Sequence, residues 1–376
     1  MNQYIKSLVI ILLAVAGVQA QSASKPEAPL TIDAKQREHA VEAMLKEFND
    51  RYVFPDVALK VKETITSRMK NKDFDNIQTG QELAAEMTRQ IQEITKDKHV
   101  RVLCSTKPYP KQIERRMAPS AEELKKYREE MRINNAGFEK VERLTGNIGY
   151  IKLNGFMDPE AGREPLTAAM TFLKNTDALI LDLRQNGGGT PLMVRDLCSY
   201  FFGETPILLN QMYFRKDNRK EEFWTNKEVP GPRYLNKDVY ILTSAFTFSG
   251  AEECAYNFQT QKRATLVGEI TGGGAHPGGM VPVANHYSIF IPTGRAINPI
   301  TNTNWEGVGV KPDIEVDADK ALETAHAHAI KTLLKSSDSK IRERVQQDVD
   351  SAANRSKRIA ERRQANLKDR QAKTKQ

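Results

Sequence analysis

The stretch VYILTSAFTFSGAEE, residues 239–253, contains the junction that decides the fold. Its apolar part, residues 239–246, is typical of a buried strand, and SGAEE has the character of a helix start. Ser249 and Glu252 have the spacing of a capping box, in which the serine hydroxyl and the glutamate carboxylate each accept a backbone N–H. A serine at such a turn, with Gly250 next to it, can equally be an exposed nucleophile. The local pattern fits both a helix cap and a nucleophile.

A second turn of the same kind is DLRQNGGG, residues 182–189, where a strand ends and three glycines open a helix. Such a turn can present backbone N–H groups to an anion. Neither G-x-G-x-x-G nor a Walker lysine is present, which argues against a nucleotide loop. A tight structural turn and an oxyanion site remain.

Around these two turns, segments with strand character alternate with helical ones from residue 137 onward, which predicts an α/β fold with a mixed or parallel sheet. Residues 33–96 instead have apolar side chains at helical spacing and no strand signals. They predict a small N-terminal helical bundle.

The first twenty residues are typical of a signal peptide. One lysine precedes the apolar run SLVIILLAVAGV, and VQA ends on a small residue, so we expect cleavage after Ala20. The alternative, a membrane anchor, needs about 20 apolar residues, which this run lacks. We therefore expect an exported, periplasmic or secreted protein without stable membrane insertion after signal cleavage.

The formal net charge of +8 is concentrated in the last part of the chain. Residues 340–376 contain twelve Lys and Arg against five Asp and Glu. The tail has no aromatic side chains for base stacking, so we do not expect nucleic acid as a partner. A solvated, partly helical or disordered extension and contact with an anionic envelope surface both fit this charge.

Cysteine and histidine are sparse, and their spacing does not predict a metal site. The three cysteines are too few for a disulfide framework; buried free thiols are expected, with one disulfide still possible. Of the six histidines, His99 and His276 lie in loops or junctions, where catalytic groups concentrate. Glu306, in the loop TNTNWEGVGVKPDIEV, could orient an imidazole.

Four segments occur together, in this order: DLRQNGGG (182–189), LTSAFTFSGAEE (242–253), LVGEITGGG (266–274) and EGVGVKPDIEV (306–316). This order resembles the C-terminal processing (tail-specific) serine peptidases. It is most similar to the branch that includes interphotoreceptor retinoid-binding protein and the catalytic half of the tricorn protease. The resemblance implies an α/β, mixed-sheet, sandwich-like catalytic domain with flanking helices, similar to ClpP and crotonase, after the helical bundle.

The resemblance also implies the site residues. The nucleophile of the family falls on Ser249. Many members pair it with a lysine, but Gly274 stands at that position here. The tricorn-like arrangement instead uses a histidine and a glutamate, which correspond to His99 and Glu306. The expected oxyanion donors are the backbone N–H groups of Gly250 and Gly188.

Two departures from the family pattern accompany these assignments. Tricorn-like members have a small hydroxyl residue before the histidine, whereas this chain has Lys98. The sequence also shows no PDZ-like module of the kind that grips substrate C-termini in many relatives.

The expected function is an exported serine endopeptidase that cleaves protein or peptide substrates through an acyl-enzyme, with no metal or cofactor. The alternative is a non-catalytic carrier of a hydrophobic, retinoid-like ligand on the same fold. The sequence does not predict the oligomeric state. The expected organisation is a signal peptide (1–20), a linker (21–32), an N-terminal helical domain (33–98), a serine peptidase catalytic domain (99–335) and a basic C-terminal tail (336–376).

Overall fold

A computed structural model describes residues 28–109 and 120–373 of the chain. The predicted signal peptide, 1–20, and most of the linker, 21–32, lie outside the described residues and stay predictions. Within the described residues, no helix combines the length and the apolar character that a membrane span requires.

Three helices follow one another at the N-terminus, as predicted. They are α1 (Ala34–Arg51), α2 (Pro55–Lys70) and α3 (Gly80–Thr95). Capping boxes begin two of them, Asp33 with Gln36 at α1 and Thr79 with Glu82 at α3, and Pro55 begins α2, where a missing N–H does no harm. The local sequence therefore explains where each helix starts.

The core of these helices continues into a small antiparallel sheet. Its order is β1 (Arg101–Cys104), β10 (Tyr287–Pro292), β9 (Gly278–Ala284). Buried side chains of α1, α2 and α3 form one cluster with Val102 and Ile289 of this sheet. The predicted domain boundary at 98/99 thus passes through a shared hydrophobic core. This core packs the N-terminal helices against the sheet that contains β9.

A six-stranded mixed sheet forms the centre of the molecule. Its strands are β2 (Phe138–Leu144), β3 (Ile148–Leu153), β4 (Ala178–Asp182), β7 (Asp238–Thr243), β8 (Thr265–Gly268) and β12 (Ile314–Glu315). Their order is β12-β8-β7-β4-β3-β2, and all neighbours are parallel except β2 with β3. Every residue of β4 is buried, as expected for a strand covered on both faces.

Helices cover both faces of this sheet, which confirms the predicted mixed α/β class. The cluster on one face includes side chains of α5 (Pro159–Leu173), α6 (Pro191–Ser199) and α7 (Gly250–Thr260). The other face packs against α8 (Ala321–Leu333). A further helix, α4 (Ala121–Ile133), precedes β2.

A third, antiparallel sheet has the order β11 (Gly294–Ile297), β5 (Leu208–Phe214), β6 (Arg219–Trp224). The segment PILLNQMYFRK, residues 206–216, has the strand character predicted after residue 137, whereas the partners of β5 were not predicted. The strand β6, RKEEFW, is charged and mostly exposed, and β11 has only four residues. Pairing with β5, rather than their own composition, makes both segments strands.

The C-terminal helix α9 (Ser339–Lys373) begins as part of the body. Val345 is fully buried, and the Asp348 carboxylate accepts hydrogen bonds from the Gly146 N–H at 2.9 Å and from Arg143 at 2.9 Å. The predicted tail, 336–376, is therefore helical from Ser339 to Lys373. Its first turns pack on the central sheet and are not a solvated extension.

Candidate active site

The candidate site lies at the carboxyl edge of the parallel strands. DLRQNGGG follows β4 and TSAFTFSG follows the adjacent strand β7, so both turns leave the sheet at the same edge. The Phe248 N–H donates to the Asn186 carbonyl at 3.1 Å, and the Gly272 N–H donates to the Thr247 carbonyl at 2.9 Å. These bonds join the two turns and the glycine loop after β8.

Ser249 stands between β7 and α7 in a strained backbone conformation, with φ 53° and ψ −118°. A helix N-cap normally has extended dihedrals, and a positive φ on a non-glycine residue persists only where the surroundings enforce it. The Ser249 N–H donates to the Glu252 carboxylate at 2.8 Å, so the glutamate half of the predicted capping box is formed. A strained serine at a strand-to-helix turn is typical of a nucleophile elbow.

The glycine turn packs directly against this serine. A Cβ on Gly188 would lie 2.8 Å from both the Ser249 Cβ and the Gly250 N, and its φ of 106° also favours glycine. The Gly188 N–H, however, donates to the Asn186 side-chain carbonyl at 2.8 Å. The expected oxyanion donor at Gly188 is thus already engaged within the turn.

The N–H groups of Gly189 and Gly250 lie at this turn and have no acceptor among the described residues. The two glycines touch, because a Cβ on Gly250 would lie 3.1 Å from the Gly189 N. Gly250 is also the first residue of α7, where the helix dipole favours negative charge. The available donor pair is Gly250 with Gly189.

His99 reaches the same cavity from the N-terminal side. It lies in the short segment between α3 and β1, and its imidazole packs against Phe248, with ring centroids 4.6 Å apart, and against Phe290, at 5.7 Å. Its side chain is only 10% exposed. Because Phe248 directly precedes Ser249, this packing brings the predicted base and nucleophile to one cavity of about 1330 Å³.

The surroundings of Gly274 leave no room for the lysine that many relatives have at this position. A Cβ at this position would lie 2.6 Å from the His99 Cε1 and 2.5 Å from a ring carbon of Phe248. The space for a side chain at 274 is therefore filled by the imidazole and the phenyl ring. A lysine at position 274 and the His99 imidazole in its observed position therefore exclude each other.

Glu306, the predicted acid, lies close to His99. Its Oε2 accepts the Ala275 N–H at 2.5 Å, while its Oε1 and the His99 Nδ1 are buried without hydrogen-bond partners among the described residues. Burial, reinforced by the nearby Asp97 charge, raises the pKa of Glu306 to about 7. Two unpartnered polar atoms at this position are the natural components of an imidazole–carboxylate hydrogen bond.

Asp97 is a second carboxylate at this point, and the sequence analysis missed it. It is fully buried and accepts hydrogen bonds from the His99 N–H at 3.0 Å and the Tyr52 hydroxyl at 3.2 Å. Its Oδ1 lies 3.7 Å from the His99 Nδ1. Burial alone would raise the pKa of Asp97, but the hydrogen bonds and charges of His276 and His99 outweigh it and hold that pKa well below its usual range.

His276 completes this cluster from the loop before β9. Its Nδ1 lies 2.7 Å from an Asp97 oxygen and 3.4 Å from the Glu306 Oε2. The imidazole thus links the two carboxylates that face His99. Its loop position was noticed in the sequence, but its partner lies 179 residues away.

Lys98, which replaces the hydroxyl residue of tricorn-like relatives, points elsewhere. Its Nζ donates to the Gly272 carbonyl at 2.7 Å.

The ligand atoms of Asp97, His99 and Glu306 lie within 4.8 Å of one another, so these three side chains could also contact a single cation.

Comparisons with known proteins agree with this architecture. The model for peptidase family S41 matches residues 147–316, and the model for the N-terminal domain of peptidase S41 in eukaryotic interphotoreceptor retinoid-binding protein (IRBP) matches residues 31–136. Together they define a peptidase-type domain preceded by an IRBP-type helical domain. The chain belongs to peptidase family S41.

Two curated relatives are C-terminal processing proteases. The protein of Bartonella bacilliformis is 27% identical over 181 residues, which is 46% of this chain and 40% of the relative. The protein of Synechocystis sp. is 32% identical over 128 residues, which is 34% of this chain and 28% of the relative. The chain therefore spans less than half the length of the curated relatives it matches.

One solved structure shares the fold over most of its length. It is a candidate peptidase from Parabacteroides merdae, with a TM-score of 0.57 and 19% identity. The match covers 78% of this chain and 96% of that one. At this identity the likeness shows a common fold.

Proposed function

We propose that this protein is an exported serine endopeptidase in which Ser249 is the nucleophile and His99 the general base. The observation that carries the proposal is the convergence of a strained Ser249, at a helix start, with His99 in one cavity. Membership of a peptidase family supports the same reaction class.

In the proposed reaction the His99 imidazole takes the Ser249 proton as the hydroxyl oxygen attacks the scissile carbonyl. Glu306 and Asp97 hold the imidazole and stabilise its charged form. The N–H groups of Gly250 and Gly189 receive the oxyanion, and each such donor supplies about 3 kcal/mol. The amine leaves with the proton from His99, and water then hydrolyses the acyl-enzyme.

The alternative function is transport of a hydrophobic ligand. It is favoured by the apolar lining of the cavity, which includes Met131, Met157, Met212, Phe246, Phe290 and Trp305. A carrier, however, has no use for a strained serine or for unpartnered atoms on a neighbouring imidazole and carboxylate. These features favour the peptidase.

Export is proposed from the first twenty residues. N-terminal sequencing of the protein recovered from the periplasm or medium should begin near residue 21. Recovery of the intact N-terminus from the membrane fraction would favour the anchor instead.

Hydrolysis of fluorescent casein tests the proposed activity. We expect Ser249→Ala and His99→Ala to abolish turnover while both variants keep the thermal unfolding temperature of the parent. Ser67→Ala, an exposed serine on α2, is the matched control and should retain full activity. Binding of an apolar fluorophore without any casein hydrolysis would identify a carrier.

A further inference from the structure

Glu253 lies in the first turn of α7, four residues after the proposed nucleophile. Its N–H donates to the Ser249 carbonyl at 2.9 Å. Its residue exposure is 3%, yet it lines the cavity that contains Ser249. Apolar side chains line the same cavity, among them Met212, Ala296 and Trp305.

The Glu253 carboxyl has no counter-charge. Among the described residues it forms no ion pair, and its polar neighbour is the side chain of Asn210. Asn210 lies near enough to favour the ionised carboxyl, but neither of its amide atoms is in hydrogen-bonding geometry with any described group. Burial, only partly opposed by Asn210, raises the pKa of Glu253 to about 7.

Asn257 extends this unpartnered polar set by one more helical turn. Its side-chain N and O are both buried and also lack partners in the described part of the chain. Buried polar atoms without partners are rare in native proteins and call for an explanation. Here they lie along one side of α7, starting at the cavity.

Three Lys and Arg side chains line the cavity, and none of them forms an ion pair with Glu253 among the described residues. The Lys98 Nζ is bound to the Gly272 carbonyl, the Arg184 guanidinium is bound to Asp182, and Arg101 is exposed on β1. A buried carboxylate without a cation is strongly disfavoured, and a ligand that brings the cation removes this penalty. Apolar walls suit the methylene stem of such a side chain.

We propose that Glu253 is the floor of the pocket for the substrate residue on the N-terminal side of the scissile bond, and that this pocket selects lysine or arginine. The assignment rests on the proposed peptidase function. Glu253 receives the ammonium or guanidinium group through charge-assisted hydrogen bonds. The Asn210 side-chain oxygen is a second acceptor beside it.

Two internally quenched peptides that differ only at one residue, lysine or norleucine, test this assignment. We expect cleavage after that residue, with kcat/KM at least about tenfold higher for lysine. In Glu253→Gln the lysine-to-norleucine ratio should fall at least about tenfold, because the amide removes the charge and keeps the shape. Glu164→Gln, an exposed glutamate on α5, should leave the ratio unchanged.

A preference for norleucine in the parent protein, or a ratio that Glu253→Gln leaves unchanged, would overturn the pocket assignment. Thermal unfolding of Glu253→Gln verifies that it folds.

Peptidyl diphenyl phosphonates with lysine-like and norleucine-like side chains separate the two proposals. Faster modification of Ser249 by the lysine-like reagent supports both. Faster modification by the norleucine-like reagent overturns the pocket alone. Absence of modification by either reagent, together with absence of peptide cleavage, overturns the peptidase function and the pocket with it.

Discussion

Two neighbouring glutamates at the start of α7 have opposite surroundings. The carboxylate of Glu252 accepts hydrogen bonds from four donors, which are the Ser249 N–H (2.8 Å), the Thr271 hydroxyl (2.5 Å), the Gly273 N–H (2.6 Å) and the Gly274 N–H (2.8 Å). For the Glu253 carboxylate, no donor among the described residues lies at a hydrogen-bonding distance and angle. Both are almost completely buried.

The difference separates a structural carboxylate from one that is available to a ligand. Burial raises the pKa of Glu252 to about 6, opposed by its hydrogen bonds, and raises the pKa of Glu253 to about 7. Glu252 ties the serine turn to the glycine loop that packs on His99. Glu253 faces the cavity and has no such task.

The largest effect is expected from Glu252→Ala. It would leave three backbone N–H groups and the Thr271 hydroxyl without their acceptor, and we expect a loss of about 3–5 kcal/mol in the free energy of unfolding. Urea denaturation measures this. Glu253→Ala should lose far less, so equal losses for the two variants would remove the distinction between the two glutamates.

Asp97 resembles Glu252 in having hydrogen-bond partners for its buried carboxylate, and its proposed role is to orient His99. We expect Asp97→Asn to lower kcat for peptide hydrolysis by about 10²–10⁴-fold with little change in KM, because an amide cannot hold the charged imidazole in the same way. Asp75→Asn is the control, because Asp75 is an exposed aspartate that pairs with Arg37. This variant should keep the kcat of the parent protein. A change confined to KM would instead indicate a role in substrate binding.

The pH dependence of stability should distinguish Glu253 directly. Its folded pKa of about 7 lies above the ordinary value of 4.5, so the folded state prefers the protonated carboxyl. The resulting destabilisation is absent below pH 4.5 and complete above about pH 7. Glu253→Gln should therefore exceed the parent protein in stability by on the order of 1–3 kcal/mol at pH 8, with the difference vanishing towards pH 4.5.

Urea denaturation at the two pH values measures this difference. A difference independent of pH would show that Glu253 has an ionic partner in the folded protein.

The smallest effect is expected at Asn257. Its amide makes no hydrogen bond to the described residues, so Asn257→Leu should leave the free energy of unfolding within about 1 kcal/mol of the parent protein. Urea denaturation measures this free energy. A loss of several kcal/mol would show that Asn257 has ordered partners, such as buried water.

Local sequence was enough to predict the turns of this site but not their partners. Ser249 after a strand, the glycine turn and the Glu306 loop each have their own pattern, and the structure brings all three to one edge of the sheet. The sequence also did not predict that the Asn186 side chain, two residues earlier, accepts the Gly188 N–H. That contact depends on a side-chain rotamer, which the motif does not specify.

Asp97, and its contact with His276, were missed for a different reason. Their contact joins residues 179 positions apart and depends on the packing of the N-terminal helices against β9 and β10. Likewise β6 and β11 are strands because β5 lies between them. Tertiary pairing of this kind leaves no periodic signal in either segment.

Labelling with a fluorophosphonate, followed by intact mass measurement and peptide mapping, tests the central claim most directly. We predict one adduct per chain, located on Ser249, and its loss in His99→Ala. An adduct on another serine, or labelling of Ser249 that persists unchanged without the His99 imidazole, would contradict the proposed active site.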